Sequence, residues 1–173
     1  RVEPMLRGQI RPVVGDVLDA SFWRKGADAA GMPEVFDAIV LDAPCSASGV
    51  VRRHPDIPWR RTPEDIRHVV DIQRRMLDAL WRRLAVGGEF VFVTCSIFQE
   101  EGEDQVRDFL ARTPDARPLP AMGRILPVSN APAGVDQDGF FFAKFFKTSV
   151  DDSSSSPVSS RLPDAPGSGA AGH

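Results

Sequence analysis

Two apolar runs, Phe36-Asp37-Ala38-Ile39-Val40-Leu41 and Phe90-Val91-Phe92-Val93, each end in a turn that carries a cysteine: Asp42-Ala43-Pro44-Cys45-Ser46 and Thr94-Cys95-Ser96. Both runs have the apolar character of strands buried in a sheet. Between them, Thr62-Pro63-Glu64-Asp65 reads as a helix start, with a capping hydroxyl, a proline at the first helical position and acids in the first turn. Apolar residues follow at Ile66, Val69, Val70, Leu77, Leu80, Trp81 and Leu84, one stripe along about six helical turns. Gly87-Gly88 then stops the helix. Strand, helix and strand in this order point to an α/β sheet. Both thiols leave the carboxyl ends of strands, the edge at which open α/β sheets bind ligands.

The rest of the chain extends this pattern. Arg11-Pro12-Val13-Val14-Gly15-Asp16 reads as a short strand ending on an acid, followed by an irregular connection through Met32. A second helix is expected from near Gln99, packing Val106, Phe109 and Leu110. A proline-rich loop from Thr113 to Pro132 leads to the turn Asp136-Gln137-Asp138-Gly139 and a final strand, Phe140 to Lys147, with alternate residues facing the core. Residues 149–173 are rich in serine, proline, glycine and alanine and have too little apolar surface to offset ordering entropy, which predicts a disordered tail. The expectation is therefore one domain over residues 1–148, built on a doubly wound, mostly parallel sheet. The glycine-rich strand-turn-helix that usually opens a nucleotide-binding α/β domain has no counterpart before Phe36, so the domain is expected to be the C-terminal part of a larger one.

Composition limits the chemistry. No apolar stretch approaches the ~20 residues that span a bilayer, and Arg1 to Arg11 is polar, so a cytoplasmic location is expected. Two cysteines in that compartment are expected to be free thiols. With three scattered histidines they show no metal-ligand spacing, and no metal is expected. The net charge of −3 argues against a generic polyanion binder. The average hides nine arginines against five acids between Arg52 and Arg83, and arginine suits bidentate contact with phosphate.

Asp42-Ala43-Pro44-Cys45-Ser46-Ala47-Ser48-Gly49, Arg52-Arg53-His54-Pro55-Asp56-Ile57, Thr94-Cys95-Ser96 and Asp138-Gly139-Phe140-Phe141, in this order, resemble the RNA (cytosine-5) methyltransferases of the NOP2/Sun class. The resemblance runs from about Val13 to Lys147. It implies a Rossmann-like fold dependent on S-adenosylmethionine, here truncated at its N-terminus, and an RNA substrate, with 16S ribosomal RNA as the expected target. Carbon 5 of cytosine is a poor nucleophile until a thiolate adds at carbon 6, and a second group must then help remove the carbon 5 proton so that the thiolate can leave. The residues alone leave open which thiol does which. The resemblance makes Cys95 the nucleophile and Cys45 the helper in release, and places Asp16 and Asp42 among the S-adenosylmethionine-binding positions, Asp42 also near the cytosine edge.

The helix expected near Gln99 is a candidate source of thiolate stabilisation at Cys95. Arg52, Arg53 and His54 are candidates to grip phosphates beside a flipped base. A monomer is expected. Two other functions fit the same residues: a catalytically incompetent RNA-binding fragment, or a thiol redox protein using Cys45 and Cys95 without the close Cys-x-x-Cys spacing.

Overall fold

The computed structural model describes residues 10–26, 31–128 and 136–149. The tail expected over 149–173 lies outside these residues apart from Ser149. Strand β1 is Phe36–Asp42, followed by the single-turn helix α1, Ile57–Arg60, and the long helix α2, Pro63–Trp81. Strand β2 is Leu84–Thr94, helix α3 is Glu103–Arg112, and strands β3 and β4 are Ala116–Ile125 and Phe140–Lys147. Helix α2 starts as its sequence dictates: Asp65 N–H donates to Thr62 Oγ1 at 3.2 Å while Thr62 N–H donates to Asp65 Oδ2 at 2.8 Å, a reciprocal capping box.

The sheet order is β1-β2-β4-β3. β1 and β2 run parallel, as an intervening helix requires, but β2 with β4 and β4 with β3 are antiparallel. The described sheet is thus mixed, where alternation alone suggested mostly parallel strands. The reason lies in the β3–β4 connection, whose described residues form no crossover helix. It folds back as a hairpin, with Val128 and Gln137 exchanging amide hydrogen bonds of 2.9 Å.

Strand β3 occupies the stretch expected to be a proline-rich loop. Pro118 and Pro120 are tolerated there because, among the described residues, β3 is an edge strand paired only with β4, and its register shifts between Leu119 and Gly123. Two further expectations are corrected. Residues 11–16 are not a strand; Asp16 sits in an exposed turn instead. Helix α2 ends at Trp81, so Leu84 belongs to β2, and Ala85 to Gly88 bulge out of the ladder opposite Phe36 to Ala38, with Gly87 at φ 83°.

One face of the sheet holds the core. Leu41, Phe92 and Ala143 lie side by side across three strands, as do Ile39, Phe90 and Phe145. Helices α2 and α3 cover this face with Leu77, Leu80, Trp81 and Phe109, the Trp81 and Phe109 rings meeting edge to face at 5.2 Å. Trp81 Nε1–H donates to Asp115 at 3.1 Å, so the one polar atom of this ring is satisfied. Each fully buried Phe contributes roughly 1.5–3 kcal/mol. The doubly wound pattern is not seen among the described residues: the opposite face leaves Val40 70% exposed. The packed face fixes β1 and β2 as a rigid pair whose carboxyl ends present the two thiols together.

Candidate active site

The loop after β1 and the loop after β2 are laced into one unit. Ala43 N–H donates to Val93 O and Gly49 N–H to Cys95 O, both at 2.9 Å. Gly139, just before β4, joins from the third side, its N–H donating to Gly49 O at 2.8 Å. A β-carbon on Gly49 would stand 2.1 Å from Gly139 O, so only glycine permits this approach. The bend that carries Cys45 to Gly49 passes through Ala47 in the left-handed region at φ 62°, a strain the surrounding bonds hold in place.

This lacing brings Cys45 Sγ and Cys95 Sγ to 3.3 Å, both thiols free and partly buried. The contact makes them unequal. The hydrogen bond to Cys95, reinforced by burial, pushes the Cys45 thiol far above the ordinary thiol range. The same bond lowers Cys95 to about 7, against opposing contributions from burial, Asp42 and Glu101. Cys45 is therefore the thiol that holds its proton longer, and Cys95 the one that ionises first. The expected help from a helix N-terminus does not arise: α3 begins only at Glu103, preceded by a short 3-10 turn, Gln99–Glu101.

Asp42, the last residue of β1, is exposed and lies opposite Val93 in the parallel register, close enough to Cys95 to oppose its ionisation. Its side chain makes no hydrogen bond or ion pair among the described residues, so the carboxylate is available to a ligand. Asp16 is placed differently. Its Oδ1 accepts from Leu18 N–H at 2.8 Å, and nothing among the described residues links it to the thiol loops.

Arg52 and Arg53 also take a role that sequence reasoning did not assign. Arg52 contacts Asp136 at 3.0 Å and Asp138 at 3.5 Å, and Arg53 contacts Asp138 at 2.7 Å. They tie the first cysteine loop to the turn before β4. His54 takes part through its backbone, whose N–H donates to Val50 O at 3.1 Å.

Behind the thiols lies a buried polar cluster that the sequence did not single out. Glu101 is fully buried; its Oε2 accepts from Ser46 N–H at 2.8 Å and from Gln73 Nε2 at 3.0 Å, and its Oε1 accepts from Ser96 Oγ at 2.8 Å. Gln73 also donates to Pro44 O at 2.8 Å, and Ser48 Oγ lies 2.9 Å from Ser96 Oγ. A signal was present in the sequence, because Gln73 interrupts the apolar stripe of α2. Beside the loops runs a groove of about 670 Å³, lined by Ser46, Ser48, Ile66, Val70, Ile97 and Phe98, with Arg61 and Arg67 at its margin. Trp59, on α1, is 90% exposed.

The sheet and its helices define the class, a Rossmann-like fold of S-adenosylmethionine-dependent methyltransferases. The crystal structure of PH0851 matches with a TM-score of 0.64 and 30% identity over 79% of this chain and 31% of its own. A methyltransferase homologue from Pyrococcus horikoshii matches at 0.52 and 29% identity over 73% of this chain and 42% of its own. The crystal structure of NSun6 from Pyrococcus horikoshii with SFG shares the fold at a TM-score of 0.56 and 24% identity, covering 80% and 35% of the two chains.

Within that class, the chain belongs to the 16S rRNA methyltransferase RsmB/F family, whose model matches residues 11–146. Ribosomal RNA small subunit methyltransferase B of Salmonella paratyphi B is 50% identical over 113 residues, which are 65% of this chain and 26% of the relative. The Cronobacter sakazakii protein of the same name is 48% identical over 114 residues, with the same coverage of each chain. The chain thus spans about a quarter of the length of these curated relatives.

Proposed function

We propose that this chain carries the reacting thiols of an RNA (cytosine-5) methyltransferase acting on 16S ribosomal RNA, with Cys95 as nucleophile and Cys45 as the proton-handling partner. The observation that carries this reading is the 3.3 Å thiol pair at the carboxyl edge of two parallel strands, a contact that raises the Cys45 pKa and lowers that of Cys95. The Cys95 thiolate adds to carbon 6 of the flipped cytosine, and the displaced π electrons make carbon 5 nucleophilic. S-adenosylmethionine, when bound, supplies the methyl group that carbon 5 takes up. Asp42 fits a role in holding the cofactor's cationic end and the cytosine edge, being exposed and without a protein partner. Asp16 is retained as a second cofactor contact through its outer carboxylate oxygen. The described residues offer no glycine-rich turn for the rest of that ligand.

The pair also accounts for release. Once Cys95 is bonded to carbon 6, the thiolate that held the Cys45 proton is gone, and the largest cause of the raised Cys45 pKa goes with it. Cys45 can then release its proton to solvent water, and the resulting thiolate takes the carbon 5 proton. The carbon 5 to hydrogen electrons restore the ring double bond, the carbon 6 to sulfur bond breaks, and Cys95 leaves as a thiolate.

RNA approaches through the groove beside the thiols, where Phe98 offers an aromatic face and Arg61 a cation, and the exposed Trp59, next in sequence to the groove-lining Pro58, offers a second aromatic face outside it. Cytoplasmic surroundings keep both thiols reduced, and a monomer suffices for the chemistry. Incubating the full protein with S-adenosylmethionine and RNA containing 5-fluorocytosine tests the reading. The fluorine cannot leave as a proton does, so a Cys95-linked RNA should accumulate and be lost in Cys95→Ala. No adduct, or one that persists in Cys95→Ala, contradicts it.

The same sulfur contact favours a second reading, a redox pair closing to a disulfide. Rapid, reversible loss of two hydrogens by mass after mild oxidation, together with no RNA adduct, would select it.

A further inference from the structure

We propose that Glu101 is the positioning residue of the thiol pair: its buried carboxylate clamps the Cys45 loop to the Cys95 loop and so sets the contact between the two sulfurs. This inference rests on the reading of Cys95 and Cys45 as attacker and releaser.

The geometry points to Glu101 for three reasons. An acid in the first turn after a loop ordinarily turns back onto its own helix amides, whereas Glu101 reaches 55 residues back to Ser46 N–H, the amide next to Cys45. Its other oxygen takes the hydroxyl of Ser96, the neighbour of Cys95, so one rigid carboxylate holds the residue after each thiol. Gln73 then fixes the carboxylate itself, bridging it to Pro44 O, and Gln105 in turn donates to Gln73 Oε1 at 3.2 Å.

Stability is a poor explanation for this arrangement. A fully buried carboxylate with only neutral donors and no arginine or lysine among its described partners is costly relative to apolar packing of the same volume. Thiolate activation by charge is no better, because a negative Glu101 opposes ionisation of Cys95. What remains is position. Three hydrogen bonds from two loops and a helix specify one separation of the sulfurs.

The test is the pH profile of Cys95 alkylation by iodoacetamide, read by peptide mass, in the full protein and in Glu101→Ala, Glu101→Gln and Ser96→Ala. Glutamine can keep all three contacts, its amide oxygen accepting from Ser46 and Gln73 while its amide nitrogen donates to Ser96. The other groups facing Cys95, Asp42 and Cys45, stay unchanged throughout. Glu101→Ala should raise the midpoint from about 7 toward the ordinary thiol value of ~8.5, leaving roughly tenfold less thiolate at neutral pH. Glu101→Gln should hold the midpoint at 7 or lower it, because the contact survives and a negative charge is lost.

An unchanged midpoint in a folded Glu101→Ala overturns the proposal. If Glu101→Ala does not fold, Ser96→Ala decides, a raised midpoint supporting the clamp and an unchanged one overturning it. Alkylation needs no RNA, so a failed 5-fluorocytosine trap with the expected midpoints would remove the methyltransferase reading and leave the clamp standing.

Discussion

Cys45 Sγ and Cys95 Sγ lie 3.3 Å apart although 50 residues separate them in the chain. Their contact exists because two parallel strands end side by side and two backbone bonds, Ala43 N–H to Val93 O and Gly49 N–H to Cys95 O, knit the segments that carry them. It makes two chemically identical side chains unequal, raising the pKa of Cys45 and lowering that of Cys95.

Removing the proton holder should separate attack from release. In Cys45→Ala, Cys95 still adds to carbon 6, but nothing positioned takes the carbon 5 proton. A Cys95-linked species should therefore build up on unmodified RNA, visible as a slow-migrating band on denaturing gels, while turnover falls by about 10²-fold or more. Turnover at the rate of the unaltered protein would remove Cys45 from the reaction.

Gly49 fixes the loop junction by its lack of a side chain. Gly49→Ala places a methyl group 2.1 Å from Gly139 O, which is backbone and cannot rotate away. The loops must part. A loss of roughly 1–3 kcal/mol is expected in urea unfolding, with a rise in the Cys95 alkylation midpoint as the sulfurs separate.

Trp59 tests the RNA surface apart from the chemistry. At 90% exposure its removal should leave the fold unchanged. Stacking of a base on an aromatic ring contributes about 1–3 kcal/mol, so Trp59→Ala should weaken binding of single-stranded RNA roughly tenfold or more in a filter-binding or anisotropy titration. Equal affinity would place the RNA elsewhere.

The packed face of the sheet carries the stability. Phe90→Ala, at 0% exposure beneath Trp81, should cost about 3–5 kcal/mol in denaturant unfolding, whereas Val40→Ala on the open face should cost less than about 0.5 kcal/mol.

The strand pair, the start of helix α2 and the placement of both thiols were legible because each rests on local chemistry, apolar runs and a capping signal; the helix end was not, since it falls at Trp81 and Gly87-Gly88 lie in the bulge of β2. Strand β3 was not, because Pro118 and Pro120 speak against a strand unless the edge position is known, and an edge is a property of the whole sheet. Asp16 was read as a strand end from a few apolar neighbours, and in the structure it caps Leu18 N–H in a turn instead.

The arginines after Cys45 were legible as a charge cluster. Their partners Asp136 and Asp138 lie more than eighty residues along the chain, where no local pattern could link them. Glu101 was invisible for the same reason, since its three partners come from β1, α2 and β2 or the turns beside them, and only folding brings them together.

Site-resolved alkylation decides whether Cys95 is the thiolate and Cys45 the proton holder. Treating the protein with iodoacetamide across pH 5 to 10 and quantifying each cysteine peptide by mass should show Cys95 reacting with a midpoint near 7, while Cys45 stays unmodified across that range as long as Cys95 is free. Cys45 reacting first, or both thiols titrating together near the ordinary value, would contradict the assignment of attacker and releaser.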